Sequence, residues 1–278
     1  MPLDWKIFTQ RPYIKSLSLE EQMRLFSIAN EKSIKLRESS FKDFANSNST
    51  SQGAAGGEQK SSPSFTNIYS LNFDGNDDIV DTPSIDLGLE NTISFWAKRN
   101  TGTNFNGMVW GGVAQSNYYV IYLNTSNRLQ YRVGSGAETF TDSDIISAIS
   151  SNDWFHCALV RNNSGADVLC YINGELKQTK TNIVGSGDNT ILQKIGGRSL
   201  DDFEIEGNLD EMAVWPTALN ESDIISIYNE GTPNDISSLS PLSWYRFEEG
   251  SGTTATDSGT AGNTGTITGA TYEENVPV

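Results

Sequence analysis

The chain has 278 residues, 36% of them hydrophobic and 19% charged, with 35 acidic against 19 basic side chains and a formal net charge of −16. That length can bury one large domain with something smaller beside it, while the absence of any apolar run near ~18 residues excludes a membrane-spanning helix. The opening MPLDWKIFTQRPYIK lacks the basic start and continuous apolar stretch of a secretory signal, so synthesis and assembly in a cytoplasm are expected. Charge is also divided: residues 1–60 carry nine basic and seven acidic side chains, and the remainder carries ten and 28. An acidic body argues against a nucleic-acid partner, because Lys and Arg supply most affinity for a phosphate backbone.

Trp5, Ile7, Phe8 and Tyr13 lie in a proline-bracketed segment too short for its own core, which suggests an extended arm that packs on another surface. A helix is expected from Ser18. Ser18 and Glu21 have the capping-box spacing, in which the hydroxyl accepts the Glu21 backbone N–H and the carboxylate returns to the cap. Leu19, Met23 and Phe26 follow at helical spacing, and Leu25, Ile28, Ala29 and Leu36 widen the stripe to about Phe44. Such a helix needs cover: its own domain, a partner protein or a second copy of the chain. Residues 46–64, NSNSTSQGAAGGEQKSSPS, read as a flexible tether; 19 residues of random coil span ~25 Å. The expected layout is therefore an anchor over 1–45, a linker over 46–64 and a displayed domain over 65–278.

The rest of the chain alternates in the manner of strands. In SLNFDGNDDIVDTP (70–83), Leu71 and Phe73 alternate with polar neighbours before a tight acidic bend. DWFHCALVR (153–161) and VLCYI (168–172) should pair across residues 162–167, and Asn173-Gly174 is a strong two-residue turn into the next strand. If Arg161 opposes Val168, then Cys157 opposes Ile172 and Cys170 opposes Leu159, which leaves the sulfurs diagonal; reduced, buried thiols are expected. His156, the single histidine, has no companions at metal-ligand spacing and reads as a hydrogen-bonded interior residue. Residues 219–231, LNESDIISIYNEG, read as a short helix capped by Asn220 and stopped by Gly231.

The FDG turn, TISFWAKR (92–99), DWFHCALVR, VLCYINGE (168–175) and GNLDEMAVWPTAL (207–219), in that order, resemble laminin-G-like domains of the concanavalin A-like group. The resemblance implies an all-β, two-sheet antiparallel jelly-roll sandwich, here preceded by the arm and long helix. The segment 241–272, which contains WYRFEEGSGTTATDSG, resembles the part that usually opens such a module. Here it follows the body, and completion of the sheet from the other end is expected because Trp244, Tyr245 and Phe247 need burial.

The resemblance also implies a calcium site. Asp74, Asn76, Asp77 and Asp78 in one turn, with Asp210 and Glu211 far along the chain, offer the hard oxygen ligands calcium takes. The alternative is a solvated Asx turn plus a separate salt-bridged acidic pair. Laminarinase-type glycosidases share the sandwich and carry E-x-D-x-x-E on one strand, but in EIEGNLDE (204–211) Glu206 stands at the Asp position and Leu209 at the second Glu, so no catalytic residue is assigned. Tyr118, Tyr119, Tyr122 and Tyr131 alternate between faces, and most should be core, as should Trp96, Trp154 and Trp215; the sequence picks no glycan-binding residue.

A sandwich of this kind behind a helical arm is similar in style to structural proteins of tailed bacteriophages. That likeness implies a virion surface protein, assembled in a host cytoplasm, serving as capsid decoration, neck or tail-fibre component. Trp5, Phe8, Tyr13, Leu19, Met23 and Phe26 would dock on other virion proteins or self-associate, and the sandwich would display a lectin-like surface to cell-surface polysaccharide. A free-standing lectin-like module and, more remotely, a glucan hydrolase are the alternatives.

Overall fold

The computed structural model describes residues 65–100, 106–111, 119–123, 126, 128–133, 136–150, 152–185, 187–197 and 205–278. The expected arm, long helix, tether and docking residues Trp5, Phe8, Tyr13, Leu19, Met23 and Phe26 lie outside these residues. The chain divides into two units, Met1–Ser62 and Pro63–Val278, and the second is an antiparallel β-sandwich. Its strands are β1 (Ser70–Asp74), β2 (Ile79–Asp86), β3 (Asn91–Arg99), β4 (Asn106–Gly111), β5 (Tyr119–Leu123), β6 (Leu129–Val133), β7 (Gly136–Thr139), β8 (Phe155–Asn162), β9 (Asp167–Ile172), β10 (Glu175–Lys180), β11 (Ile191–Ile195) and β12 (Glu206–Trp215). The C-terminal segment adds β13 (Ser243–Tyr245), β14 (Thr254–Ala255), β15 (Gly265–Thr268) and β16 (Thr271–Glu273). Among the described residues, two α-helices, α1 (Ser143–Ser150) and α2 (Glu221–Tyr228), interrupt the strands.

One sheet runs β10-β9-β8-β3-β12-β1-β16 with β13 also on β12, and the other runs β14-β15-β2-β11-β4-β5-β6-β7. The C-terminal segment thus feeds strands to both sheets. Between the sheets, Leu71, Phe73, Phe95, Leu159, Ile121 and Leu192 are all at most 2% exposed. β8 shows why a strand of this sheet reads as continuously apolar. Cys157 and Leu159 face the inter-sheet core, while Ala158 and Val160 face a second cluster with Trp215, Ile224, Ile227 and Trp244 beneath α2, so both faces are covered.

Local chemistry sets these elements. Asn173 (φ 51°) and Gly174 (φ 75°) form the expected left-handed two-residue turn between β9 and β10. The expected register holds: Arg161 opposes Val168, Cys157 opposes Ile172 and Leu159 opposes Cys170, and both thiols are free and buried. Burial is the main cause that pushes the Cys170 thiol well above its ordinary pKa. Asn220 caps α2 through a capping box with Asp223. Its end differs from the expectation: Asn229, at φ 45°, is the left-handed cap, and Gly231 ends a 3-10 turn beyond it. Asn tolerates that conformation well enough to stop the helix two residues early. Gly196 (φ 88°) is fixed by packing as well, since a Cβ there would lie 2.0 Å from the Phe73 ring.

Arg161 is fully buried and donates to the carbonyls of Gly165, Gly185 and Asp188 and to the Thr190 hydroxyl, which staples the 181–190 loop to the end of β8.

Candidate functional site

The six candidate calcium ligands fall into two groups. β1 runs antiparallel to β12 with Asp74 opposite Glu206 and Leu71 opposite Leu209. Asp210 and Glu211 are therefore at the far end of β1 from Asp74, four strand positions or ~13 Å along the sheet. A single site using both segments is ruled out by that register.

In the β1–β2 turn, the Asp74 carboxylate accepts the Asn76 N–H at 2.9 Å and Asp78 accepts the Asp74 N–H at 2.8 Å. Asp74, Asp77 and Asp78 offer carboxylate oxygens within 4.8 Å of one another, but Asp74 and Asp77 are exposed and only Asp78 is buried, at 5%. The turn before β16 covers it, because a Cβ on Gly269 would meet Asp78 Oδ1 at 1.9 Å. Burial raises the Asp78 pKa.

The second group is built at a bulge. β12 pairs with β3 through Asp210 opposite Trp96, slips, and resumes with Ala213 opposite Ser94; Glu211 takes φ 47°. Here the neighbour of β12 on its other side changes from β1 to β13. Asp210 is fully buried and Glu211 5% exposed. With half-buried Glu248 they form a second set of carboxylates whose oxygens lie within 4.8 Å of one another.

Residues 65–69 are clamped onto this cluster. Asn67 Nδ2 donates to Asp210 at 3.0 Å, and Glu248 accepts the backbone N–H groups of Ile68 at 2.9 Å and Tyr69 at 3.2 Å. Glu211 accepts Trp244 Nε1–H at 2.6 Å and Arg246 Nε–H at 3.2 Å. The Arg246 guanidinium also bonds the Thr66 carbonyl and sits 4.3 Å from the Phe65 ring centre, and Phe65 stacks on Trp244. Three carboxyls thus lie together, and Arg246 pairs with one of them, Glu211. Burial, followed by the neighbouring Glu211 charge, raises Asp210 well above the usual carboxylate range. Glu211 is pushed up to about 8 by burial, against the opposing pull of Arg246 and the Trp244 bond.

The second group suits a hard cation better than the turn does. Both donor sets are entirely oxygen, but only beside the second does a buried amide oxygen, Asn67 Oδ1, have no hydrogen-bond partner among the described residues. Asn67, Arg246 and Glu248 escape a reading of the GNLDE segment alone, because they reach it from up to 143 residues away. The likeness of the WYRFEEG segment to a module's opening was the available signal.

Among the remaining candidates, Tyr122 and Tyr131 are core, as are Trp96 and Trp215, whereas Tyr118 and Glu204 lie outside the described residues. Trp154 is half-buried and donates to Asn275. His156 is fully buried on the outer face of β8, 2.7 Å from the Ser94 hydroxyl, and desolvation lowers its pKa to about 3.

This sandwich is the architecture of a laminin-G-like module. The family model for the concanavalin A-like lectin/glucanases superfamily matches residues 74–225, more than half of the chain, and the chain belongs to that superfamily. β13 to β16 lie beyond the match, so the sheets are completed by a segment outside it. Among solved structures, a Bacteroides ovatus protein described as carbohydrate-binding has a TM-score of 0.57 at 16% identity; the match covers 77% of this chain and 62% of that one. A pentraxin from Limulus polyphemus gives 0.47 at 16% identity over 58% of this chain and 82% of its own, and a Ruminococcus gnavus sialidase carbohydrate-binding module gives 0.44 at 14% over 59% and 99%. These likenesses concern the fold. No curated protein matches.

Proposed function

We propose that this chain is a non-catalytic carbohydrate-recognition protein. The superfamily's name offers two chemistries, lectin and glucanase, and the observation that favours the first is the closure of the outer face of β12 at Asn208 and Asp210. Glucan hydrolysis needs a pair of carboxyls open to the glycosidic bond. Here Asn208 is 2% exposed and bonded to Ser70 and Glu273, and Asp210 is fully buried under Asn67. The description of the Bacteroides ovatus protein agrees with this reading. Probing the full chain on an array of neutral and sialylated oligosaccharides tests it; saturable binding to any class supports it, and silence across the array defeats it.

The sandwich is displayed, in this proposal, on a tailed-bacteriophage virion, where residues 1–45 anchor it and residues 46–64 act as tether. The amphipathic pattern of Leu19, Met23 and Phe26 and the Ser/Gly-rich linker support that placement. Immunogold labelling of purified particles with antibody to the sandwich should decorate capsid, neck or tail; unlabelled particles would remove the virion role. Calcium belongs to the same proposal, held by Asp210, Glu211, Glu248 and the Asn67 amide oxygen. There it would supply charge neutralisation and fix residues 65–69 to the C-terminal segment.

A further inference from the structure

Resting on the carbohydrate reading, we infer that the sugar site is the polar pocket between α1, the β9–β10 turn and the end of α2, and that its ligand is a neutral hexose rather than an acidic sugar. The pocket has a volume of about 470 Å³, within the ~300–1,000 Å³ typical of small-ligand sites. Asp144, Ser147, Asn173, Glu175, Lys177 and Tyr228 line it.

One wall is aromatic and fixed in advance. Tyr228 is half-buried, stacks on Trp96 with ring centres 5.7 Å apart, and lies 6.0 Å from the His156 ring. At its Cβ end the side chain presses on the turn, where a Cβ on Gly174 would meet Tyr228 Cδ1 at 2.8 Å and Cβ at 3.2 Å. A ring held this way offers a rigid apolar face for the C–H side of a sugar. The opposite rim supplies hydroxyl partners. Asn173 uses its Oδ1 to accept the backbone N–H of His156 at 2.9 Å, which leaves its amide N–H groups to donate elsewhere. Ser147 and Asp144 sit on the exposed side of α1. Lys177 bridges Asp144 at 3.0 Å and Glu175 at 2.7 Å, so the two carboxylates are held in place across the mouth. An aromatic wall facing a mixed rim of donors and acceptors is the arrangement that recognises a hexose.

Charge selects among hexoses. Two carboxylates against one ammonium leave the pocket with a net negative charge, which opposes sialic and uronic acids and leaves neutral sugars as the fitting class.

The test is glycan-array and calorimetric binding of the full chain beside a Ser147→Trp variant. That substitution fills the pocket from an exposed helical position and spares the core, which an unchanged thermal unfolding curve would verify. Binding to neutral oligosaccharides that weakens at least ~10-fold in the variant, a change of about 1.4 kcal/mol, is the expected result. Neutral-sugar binding that the variant leaves intact would overturn the pocket assignment while the carbohydrate reading survives. Preference for sialylated glycans would overturn the ligand class, and no binding by the unaltered chain would overturn the carbohydrate reading itself.

Discussion

Two acidic groups border the same pair of strands, β1 and β12, and they behave differently. Asp74 and Asp77 at one end stay in water and shape a turn, while Asp210 and Glu211 at the other are buried beneath residues 65–69. The same residue types give a solvated Asx turn where the chain merely reverses and a buried, hydrogen-bonded clasp where a strand changes neighbours. Burial and the arrival of distant partners make the difference, and local composition has little part in it.

The largest effect should come from breaking the clasp. Glu211→Ala removes the acceptor of the buried Trp244 N–H and the carboxylate partner of Arg246, so we expect a loss of ~3 kcal/mol by thermal or denaturant unfolding. A loss under ~1 kcal/mol would mean that the site is wetter than its burial indicates. Calcium should act on the same group: at one hundred times its Kd, it should raise stability by ~2.7 kcal/mol, an effect that Asp210→Asn abolishes and Asp77→Asn does not. Loss in Asp77→Asn with none in Asp210→Asn would move the cation to the turn.

The pH dependence should sharpen the contrast further. Glu211 titrates near 8 in the folded protein, against an ordinary value of 4.5. The native state therefore keeps a proton that the unfolded chain has lost between those values. Its contribution is full below about 4.5 and declines as pH rises through 8, by at most ~1.4 kcal/mol per unit without a cation. Glu211→Gln should flatten that slope. His156 acts in the opposite sense. Its folded value of about 3 lies below the ordinary 6.5, so its contribution is present above 6.5 and is lost as pH falls toward 3. A His156→Gln variant should resist acid better than its parent, relative to its own stability at pH 7.5. The smallest effect belongs to the exposed turn: Asp77→Ala should change stability by no more than ~0.5 kcal/mol.

Much of the sandwich could be read from local chemistry. The Asn173-Gly174 turn specifies its own hairpin, and the alternation in DWFHCALVR and VLCYI placed Cys157 opposite Ile172 correctly, because a one-residue slip would invert every side chain. Asn220 was legible as a cap for the same local reason. The clasp was not legible, since its register with β1 and its contacts with Asn67 and Glu248 exist only once the ends of the domain meet. α1 was missed altogether: SDIISAIS is two turns long, and its only signal is the spacing of Ile145 and Ile149, both fully buried. The pocket under Tyr228 was equally hidden, because it joins α1, a hairpin turn and α2 across the sheet edge.

The most direct test of the recognition role is calorimetric titration of the full chain with neutral oligosaccharides while new reducing ends are measured in the same mixture. Saturable heat with no release of reducing ends is the predicted result. Steady release would make the protein a hydrolase, and an absence of heat across the panel would contradict carbohydrate recognition.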